Sequence, residues 1–223
     1  MKKIALIHTV RTGYLDFGRE VAAAFPEVEV TNLLDEHLAK EAVESGMSPA
    51  LADRFLSVAQ LAEKTGSDLL VCTCTSMIPV VDVVRPFLSV PLILIDDEMH
   101  RCAAALHQHV TVFATAESAL KPTVQKYKDQ VYRQTGHIPE VSAVVCPEAN
   151  IYMRTGNMQK HDELVLQSVK AIKNAEVIIL AQYSITHLSG QIQAICGGRV
   201  LGSGEYCIQE ISRILGQKVQ SRN

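Results

Sequence analysis

No stretch of this chain offers the roughly 18 to 20 uninterrupted apolar residues that a membrane-spanning helix needs. The opening MKKIALIHTV joins a lysine pair to an apolar stretch, but Arg11 and Asp16 interrupt it short of a signal-peptide core. A cytoplasmic protein without a membrane partner is therefore expected. Basic excess is missing as well. The formal net charge is −3, and the 21 Lys and Arg are scattered singly or in pairs, which leaves no footprint for nucleic acid and favours a small-molecule partner. The six cysteines show no secretion context, so they read as free thiols and not as a disulfide framework. C-x-x-C redox spacing is absent. The C-x-C of Cys72 and Cys74 has no second Cys/His pair at metal-ligand spacing, so no metal site is expected.

What the chain does contain is a rhythm. Short, continuous apolar runs alternate with helical patterns: KIALIHTV, VEVTNLL, DLLVCTCT, PLILID, VTVFAT, VSAVVC, EVIILAQYS and RVLGSG. Runs that are apolar throughout, without alternation, suit strands buried on both faces, hence a parallel sheet covered by helices. Ser48 followed by Pro49 reads as an N-cap and first helical residue, with Leu51, Phe55, Val58 and Ala62 on one face. Leu164, Val165, Ser168, Val169 and Ile172 form a second stripe, and Ile208, Ile211 and Leu215 a third. The class is α/β. The rhythm is similar before and after about residue 107, which suggests two four-stranded lobes. The segment PEANIYMRTGNMQKHDE, residues 147–163, reads as the longest loop, with Tyr152, Met153, Arg154 and Gly156 available to a lid, a dimer contact or an ordinary surface.

In parallel α/β sheets ligands collect at the carboxyl ends of strands. Four such ends are polar here: HTVRTG, CTCTS, ATAES and AQYSITH. Thr75 or Ser76 can cap a helix whose first turn contains Pro79, leaving N–H groups beside Cys74 to receive a carboxylate. A positive helix end would lower the Cys74 thiol pKa, making it a base or nucleophile. Cys72, inside the apolar run, reads as a small core residue, and Cys74 taken alone admits that reading too. In ATAES, Ser118 can cap a helix with Pro122 in its first turn. Gln182, Tyr183 and Ser184 follow VIIL directly, and polar groups there need either a ligand or an internal hydrogen-bond network.

Taken together, these residues resemble the aspartate/glutamate/hydantoin racemase superfamily, which includes maleate isomerases and arylmalonate decarboxylases. The resemblance covers nearly the whole chain. Cys74-Thr75-Ser76 matches the first-lobe Cys-Asn/Thr-Thr/Ser motif, His8-Thr9 loosely matches a polar pair ending the first strand, and Thr115 to Ser118 matches a carboxylate-binding turn. The second lobe of the family carries Leu-Gly-Cys-Thr-His. Here Leu180, Ala181, Gln182, Tyr183 and Ser184 align with it, so Gln182 stands at the cysteine; a shifted frame recovers Thr186 and His187 but puts Ile185 there. Both frames lack the thiol.

The resemblance implies two pseudo-symmetric lobes, each a four-stranded, mainly parallel sheet flanked by helices, with the active site in the interlobe cleft. The first lobe is expected over 1–107, with a C-terminal helix 205–223 packing back on it, and the second over 108–204. It implies a cofactor-independent enzyme acting at the carbon next to the carboxylate of a small acid or amino acid, and a possible homodimer. Cys74 is the expected base or nucleophile, with Gln182 and Tyr183 at the catalytic position of the second lobe. His8, Thr9, Arg11, Thr75, Ser76, Thr115, Ala116, Glu117, Ser118 and Ser184 are expected to contact substrate. Two-thiol racemisation needs a second proton carrier, which an amide does not supply. A one-cysteine decarboxylase or cis-trans isomerase, slow racemisation using Tyr183, His187 or His8 as second acid, and a non-catalytic carboxylate sensor are the alternatives.

Overall fold

The structure, a computed structural model, describes residues 1–220 apart from 12, 107 and 174. They pack as two compact units, residues 1–97 joined by the segment from Gly204 onward, and residues 98–203. The expected lobe boundary at 107 and the last residues of the expected terminal helix, 221–223, lie outside the described residues. The division itself falls earlier, at Asp97/Glu98, so that nearly all of the helix following the fourth strand goes with the second unit.

The elements run β1 Lys2–His8, α1 Gly18–Ala24, β2 Val28–Leu34, α2 Glu36–Ser45, α3 Pro49–Lys64, β3 Leu69–Cys72, α4 Ile78–Val84, β4 Leu92–Leu94 and α5 Asp97–Ala105. They continue with β5 Val110–Ala114, α6 Glu117–Thr135, β6 Val141–Val145, α7 Pro147–Arg154, α8 Met158–Val169, β7 Val177–Leu180, α9 Ser189–Cys196, β8 Arg199–Gly202 and α10 Ser203–Leu215. All eight apolar runs of the sequence are strands. The first sheet has the order β2-β1-β3-β4 and the second β6-β5-β7-β8, with every pairing parallel. The same order twice makes the units topological repeats. In each, the strand order reverses between the two central strands, and it is at the carboxyl ends of such strands that α/β sheets hold their ligands.

Central strands are buried on both faces. Ile4, Leu6 and Ile7 of β1 and Val177, Ile178, Ile179 and Leu180 of β7 are fully enclosed. Each such side chain contributes about 1.5–3 kcal/mol relative to exposure. Helix α3 begins as its sequence dictates: the Ser48 hydroxyl accepts from Leu51 N–H at 3.1 Å with Pro49 at the first position, and Leu51, Phe55, Ala59 and Ala62 face the first core. Among the described residues no helix is long and apolar enough to cross a membrane.

Three local expectations are corrected. Residues 147–163 are not a loop but a helix, a short turn at 155–157 and the start of a second helix. Pro147 suits a helix start, the Asn157 side chain accepts from Lys160 N–H at 3.1 Å, and Gly156 takes the left-handed φ of 80° that breaks the chain between them. Thr75 and Ser76 do not cap α4: a 3-10 turn, Thr75–Met77, intervenes, and Met77 stands at the cap without a side-chain bond. Nor does Ser118 cap α6, which starts one residue earlier with Ala116 at its cap and holds Pro122 in its interior.

Candidate active site

In the first unit, the carboxyl ends of β1 and β3 lie side by side. Ile7 pairs with Cys72, and Thr73 N–H donates to the Ile7 carbonyl at 3.0 Å, so His8 and Thr9 come level with Thr73 and Cys74. His8 is fully buried, and both ring nitrogens are engaged: Nδ1 lies 2.9 Å from the Thr73 hydroxyl and Nε2 2.8 Å from Asn32 Oδ1. Burial lowers its pKa, against the contrary pull of Asn32. The neutral ring donates Nε2–H to Asn32, and its Nδ1 shares the Thr73 hydroxyl with the Ile7 carbonyl, 3.3 Å from that hydroxyl. His8 is thus held in an internal network, with no ring nitrogen left for substrate. Thr73 and Asn32 escaped sequence reasoning. Thr73 stood within CTCTS as an unremarkable threonine, and Asn32 was the one polar amide in VEVTNLL.

Cys74 is partly exposed and stands in extended backbone just before the Thr75–Met77 turn. Its pKa is raised, not lowered as the sequence suggested. Burial is the largest cause, and it outweighs the Thr9 hydroxyl and the Ser76 and Met77 donors that favour the thiolate. Thr9 is itself buried, and its Oγ1 has no hydrogen bond of ordinary geometry, which leaves it as a donor available to the thiolate or to a ligand beside it. Thr75 is buried and Ser76 half-buried. Cys72 is fully enclosed, its thiol 3.9 Å from the Cys74 carbonyl and pushed well up by burial, as befits a core residue. Arg11 points elsewhere, paired with Glu36 at 3.3 Å on the surface.

The second unit repeats the arrangement. Phe113 pairs with Leu180, and Ala181 N–H donates to the Phe113 carbonyl at 2.9 Å, which brings Thr115 level with Gln182. By register, Thr115 and Gln182 hold in their sheet the places that Thr9 and Cys74 hold in theirs. Both Cys74 and Gln182 adopt extended backbone and directly precede a 3-10 turn, the second being Tyr183–Leu188. Gln182 Oε1 accepts from Thr115 N–H at 2.7 Å and from the Thr115 hydroxyl at 3.1 Å. The amide is therefore oriented, with its NH2 turned away from Thr115 as a neutral donor. Tyr183 and Ser184 are half-buried in the turn. Ala116 sits at the start of α6, Ser118 is half-buried in its first turn, and Glu117 is exposed with Lys121 at 3.9 Å. That carboxylate does not suit the anion-binding role expected of it, since like charges repel.

No thiol of the second unit substitutes for Gln182. Cys146 ends the edge strand β6 and directs its sulfur to the Leu164 carbonyl at 3.8 Å, Cys196 turns to the Val169 carbonyl at 3.4 Å, and Cys102 to Glu98 at 3.4 Å. A further cluster went unread in the sequence. Asp162 Oδ1 lies 2.7 Å from buried His161 Nδ1 and 3.0 Å from exposed His187 Nε2. Asp162 lay inside the segment taken for a loop, and only the α8 fold brings it to the turn after β7. Among the described residues no group of three or more His, Cys, Asp or Glu is arranged to hold a metal ion.

Comparison with known proteins agrees with this architecture. Glutamate racemase from Thermus thermophilus, solved with β-chloro-D-alanine, superposes with a TM-score of 0.72 at 22% identity over 96% of this chain and 80% of that one. Glutamate racemase from Francisella tularensis, solved with D-glutamate, gives 0.73 at 15% identity over 96% and 81%. Aspartate racemase from Picrophilus torridus gives 0.69 at 13% identity over 99% and 96%. At such identities the likeness is one of fold. Among curated proteins no sequence matches. A model of the Asp/Glu/hydantoin racemase family matches residues 17–211, most of the chain, and the chain therefore belongs to that family, as an isomerase-type enzyme.

Proposed function

We propose that this enzyme acts at the carbon next to the carboxylate of a small acid or amino acid, with Cys74 carrying the proton or attacking the substrate and with no symmetrical partner thiol. One observation carries the reading. The register position that mirrors Cys74 holds Gln182, locked by Thr115 as a neutral amide. An amide neither takes nor gives a proton at neutral pH, so it contributes a hydrogen bond to a carboxylate or an enediolate oxygen. Thr75, Ser76 and Ser118 are the further carboxylate contacts in this reading; Thr115, expected among them, spends both its N–H and its hydroxyl on Gln182.

The raised Cys74 pKa keeps the thiol protonated at neutral pH, which suits it to donating a proton. In a decarboxylation of a substituted malonate the carbon–carbon bond to one carboxylate breaks, that carbon leaves as carbon dioxide, and the enediolate of the remaining carboxylate takes a proton at carbon from the thiol. The resulting thiolate is met by Thr9, Ser76 and Met77. In a one-sided exchange the thiolate removes the α-proton and returns it to the same face. In an isomerisation it adds to a double bond and leaves after rotation.

The same protonated thiol also favours a second reading, a carboxylate-binding protein without turnover. Wild type incubated with D- and L-aspartate and glutamate in deuterated water, with exchange followed by NMR and inversion by chiral chromatography, tests the first. Exchange from both enantiomers at unlike rates, or from one only, is expected, and Cys74→Ser should reduce it at least about 100-fold, the scale of a lost acid–base group. Efficient two-way inversion by wild type would overturn the one-thiol reading. Protection of Cys74 from alkylation by acids that undergo no reaction would support the sensor.

A further inference from the structure

Where β1 and β3 end, successive side chains still alternate between the two faces of the sheet. His8 and Thr73 fall on one face, and Thr9 and Cys74, one residue further along, on the other. Among the described residues, the last backbone hydrogen bond between these strands runs from Thr73 N–H to the Ile7 carbonyl at 3.0 Å. Strand β1 has ended at His8, and Cys74 leads into the Thr75–Met77 turn. The thiol and the hydroxyl that serves it therefore lie past the end of the ladder, where main-chain pairing no longer fixes them.

The fastening is on the opposite face. The Thr73 hydroxyl lies 2.9 Å from His8 Nδ1 and 3.3 Å from the Ile7 carbonyl, so one side chain ties β3 to both a ring and the backbone of β1. The ring in turn is held from three sides. Its Nε2 lies 2.8 Å from Asn32 Oδ1, the His8 carbonyl accepts from Asp35 N–H at 3.0 Å, and the Tyr14 ring meets it edge-on with centroids 5.9 Å apart. Two glycines let the chain close around this set: a Cβ at Gly13 would stand 3.3 Å from both His8 Nδ1 and Thr73 Oγ1, and one at Gly18 would stand 2.7 Å from Asn32 Oδ1. An apolar pair of the same shape would hold the strands about as firmly. What a satisfied polar network adds is direction, since its bonds admit one arrangement of the strand ends.

We propose that His8 and Thr73 are positioning residues for Cys74: their hydrogen bond on one face of the sheet sets the strand ends so that Thr9, on the other face, stands against the thiol. They act through Cys74 and not on substrate, in place of the substrate contact expected of His8. The role rests on the Cys74 chemistry proposed above, but thiol reactivity reads it without any substrate.

The experiment follows alkylation of Cys74 by iodoacetamide at pH 8, with and without Thr9→Val, read by fragment mass spectrometry that separates Cys74 from Cys72. Cys72 is fully buried with its thiol pushed well up, so it stays protonated at that pH. In wild type, Thr9→Val should slow alkylation about tenfold, the scale of one hydrogen bond to a charged group. Thr73→Val removes the hydroxyl at nearly constant shape, and in that background Thr9→Val should change the rate less than about twofold, the two sites being coupled. Thr73→Ser keeps the hydroxyl and should restore the wild-type response. A merely structural Thr73 would shift the rates and leave the two changes additive. His8→Phe, which keeps a ring and removes Nδ1, should also abolish the Thr9 effect, and it decides the matter if Thr73→Val shows no cooperative thermal transition. An undiminished Thr9→Val effect in either background overturns the proposal, and so does the absence of that effect in wild type, since there is then no donor to hold. Lost coupling in a protein that still exchanges substrate protons overturns the positioning alone. Intact coupling in a protein that exchanges none supports the positioning and overturns the function.

Discussion

The Cys74 thiolate loses solvation through burial and gains donors from Thr9, Ser76 and Met77, and the net displacement of its pKa is upward. Its alkylation rate should therefore keep rising past the pH of about 8.5 at which an ordinary cysteine is half ionised. Thr9→Val removes a donor to the thiolate, raises the pKa further and slows alkylation at pH 8. A wild-type plateau below pH 8.5, followed by peptide mass spectrometry, would contradict both. His8 titrates in the opposite sense. Burial lowers its folded pKa, so the unfolded chain binds the proton first, and stability that is intact above about pH 6.5 is lost as pH falls from there toward the folded value. His8→Gln keeps a hydrogen-bonding side chain without a titrating one. Urea unfolding at pH 7.5 and 5.5 should show a smaller loss of stability for His8→Gln than for wild type, and an equal loss would remove His8 from the titration.

Strands and turns carry constraints that no single side chain expresses. The 3-10 turn after β7 packs against the end of β8: a Cβ at Gly202 would lie 2.8 Å from Thr186 Cγ2 and 3.6 Å from Ser189 Oγ. Thr186 in turn closes its own turn by donating to the Tyr183 carbonyl at 2.8 Å, and Ser189 donates to the Thr186 carbonyl at 2.6 Å. Gly202→Ala should destabilise the protein by about 1–3 kcal/mol, the usual range for overpacking. Thr186→Ser deletes the offending methyl and retains the hydroxyl. The double variant should recover much of the loss, giving a favourable coupling in a double-mutant cycle measured by denaturant unfolding. Additive losses would show that the contact with Thr186 is not the source of strain.

The molecule as a whole is one chain threaded through two similar sheets. The path leaves the first unit at the start of α5 and returns to it near the start of α10. Cys207, Ile211 and Leu215 of α10 are buried, the Cys207 thiol is pushed well up by that burial and then by the nearby Glu210, Asp97 and Asp96 carboxylates, and Gln220 N–H donates to the Ala24 carbonyl at 3.1 Å. Removing the segment from Gly204 onward should therefore expose apolar surface on the first unit while leaving β5 to β8 intact. Hydrogen exchange should show lost protection in β1 and β3 and retained protection in β5 and β7. Uniform protection across both sheets would mean that α10 adds little to the first core.

Much of this design was legible in the residues themselves. Eight apolar runs became eight strands because a segment without a polar alternate has no face to turn to water, and Ser48-Pro49 started α3 because both residues act on their own backbone. Cys74 and Gln182 were visible as polar breaks at the ends of such runs. The tertiary structure alone decided what those breaks do. The start of α6 at Glu117 and the 3-10 turn before α4 removed the caps expected of Ser118, Thr75 and Ser76. Helices α7 and α8 folded a segment rich in polar residues that offered little periodicity to read. The strand register paired Thr9 with Cys74 and Thr115 with Gln182, and His8 with Thr73, across 65 or more residues of sequence. Local propensity is written within a few residues, whereas a pKa, a hydrogen-bond partner and the orientation of an amide depend on atoms delivered by other strands.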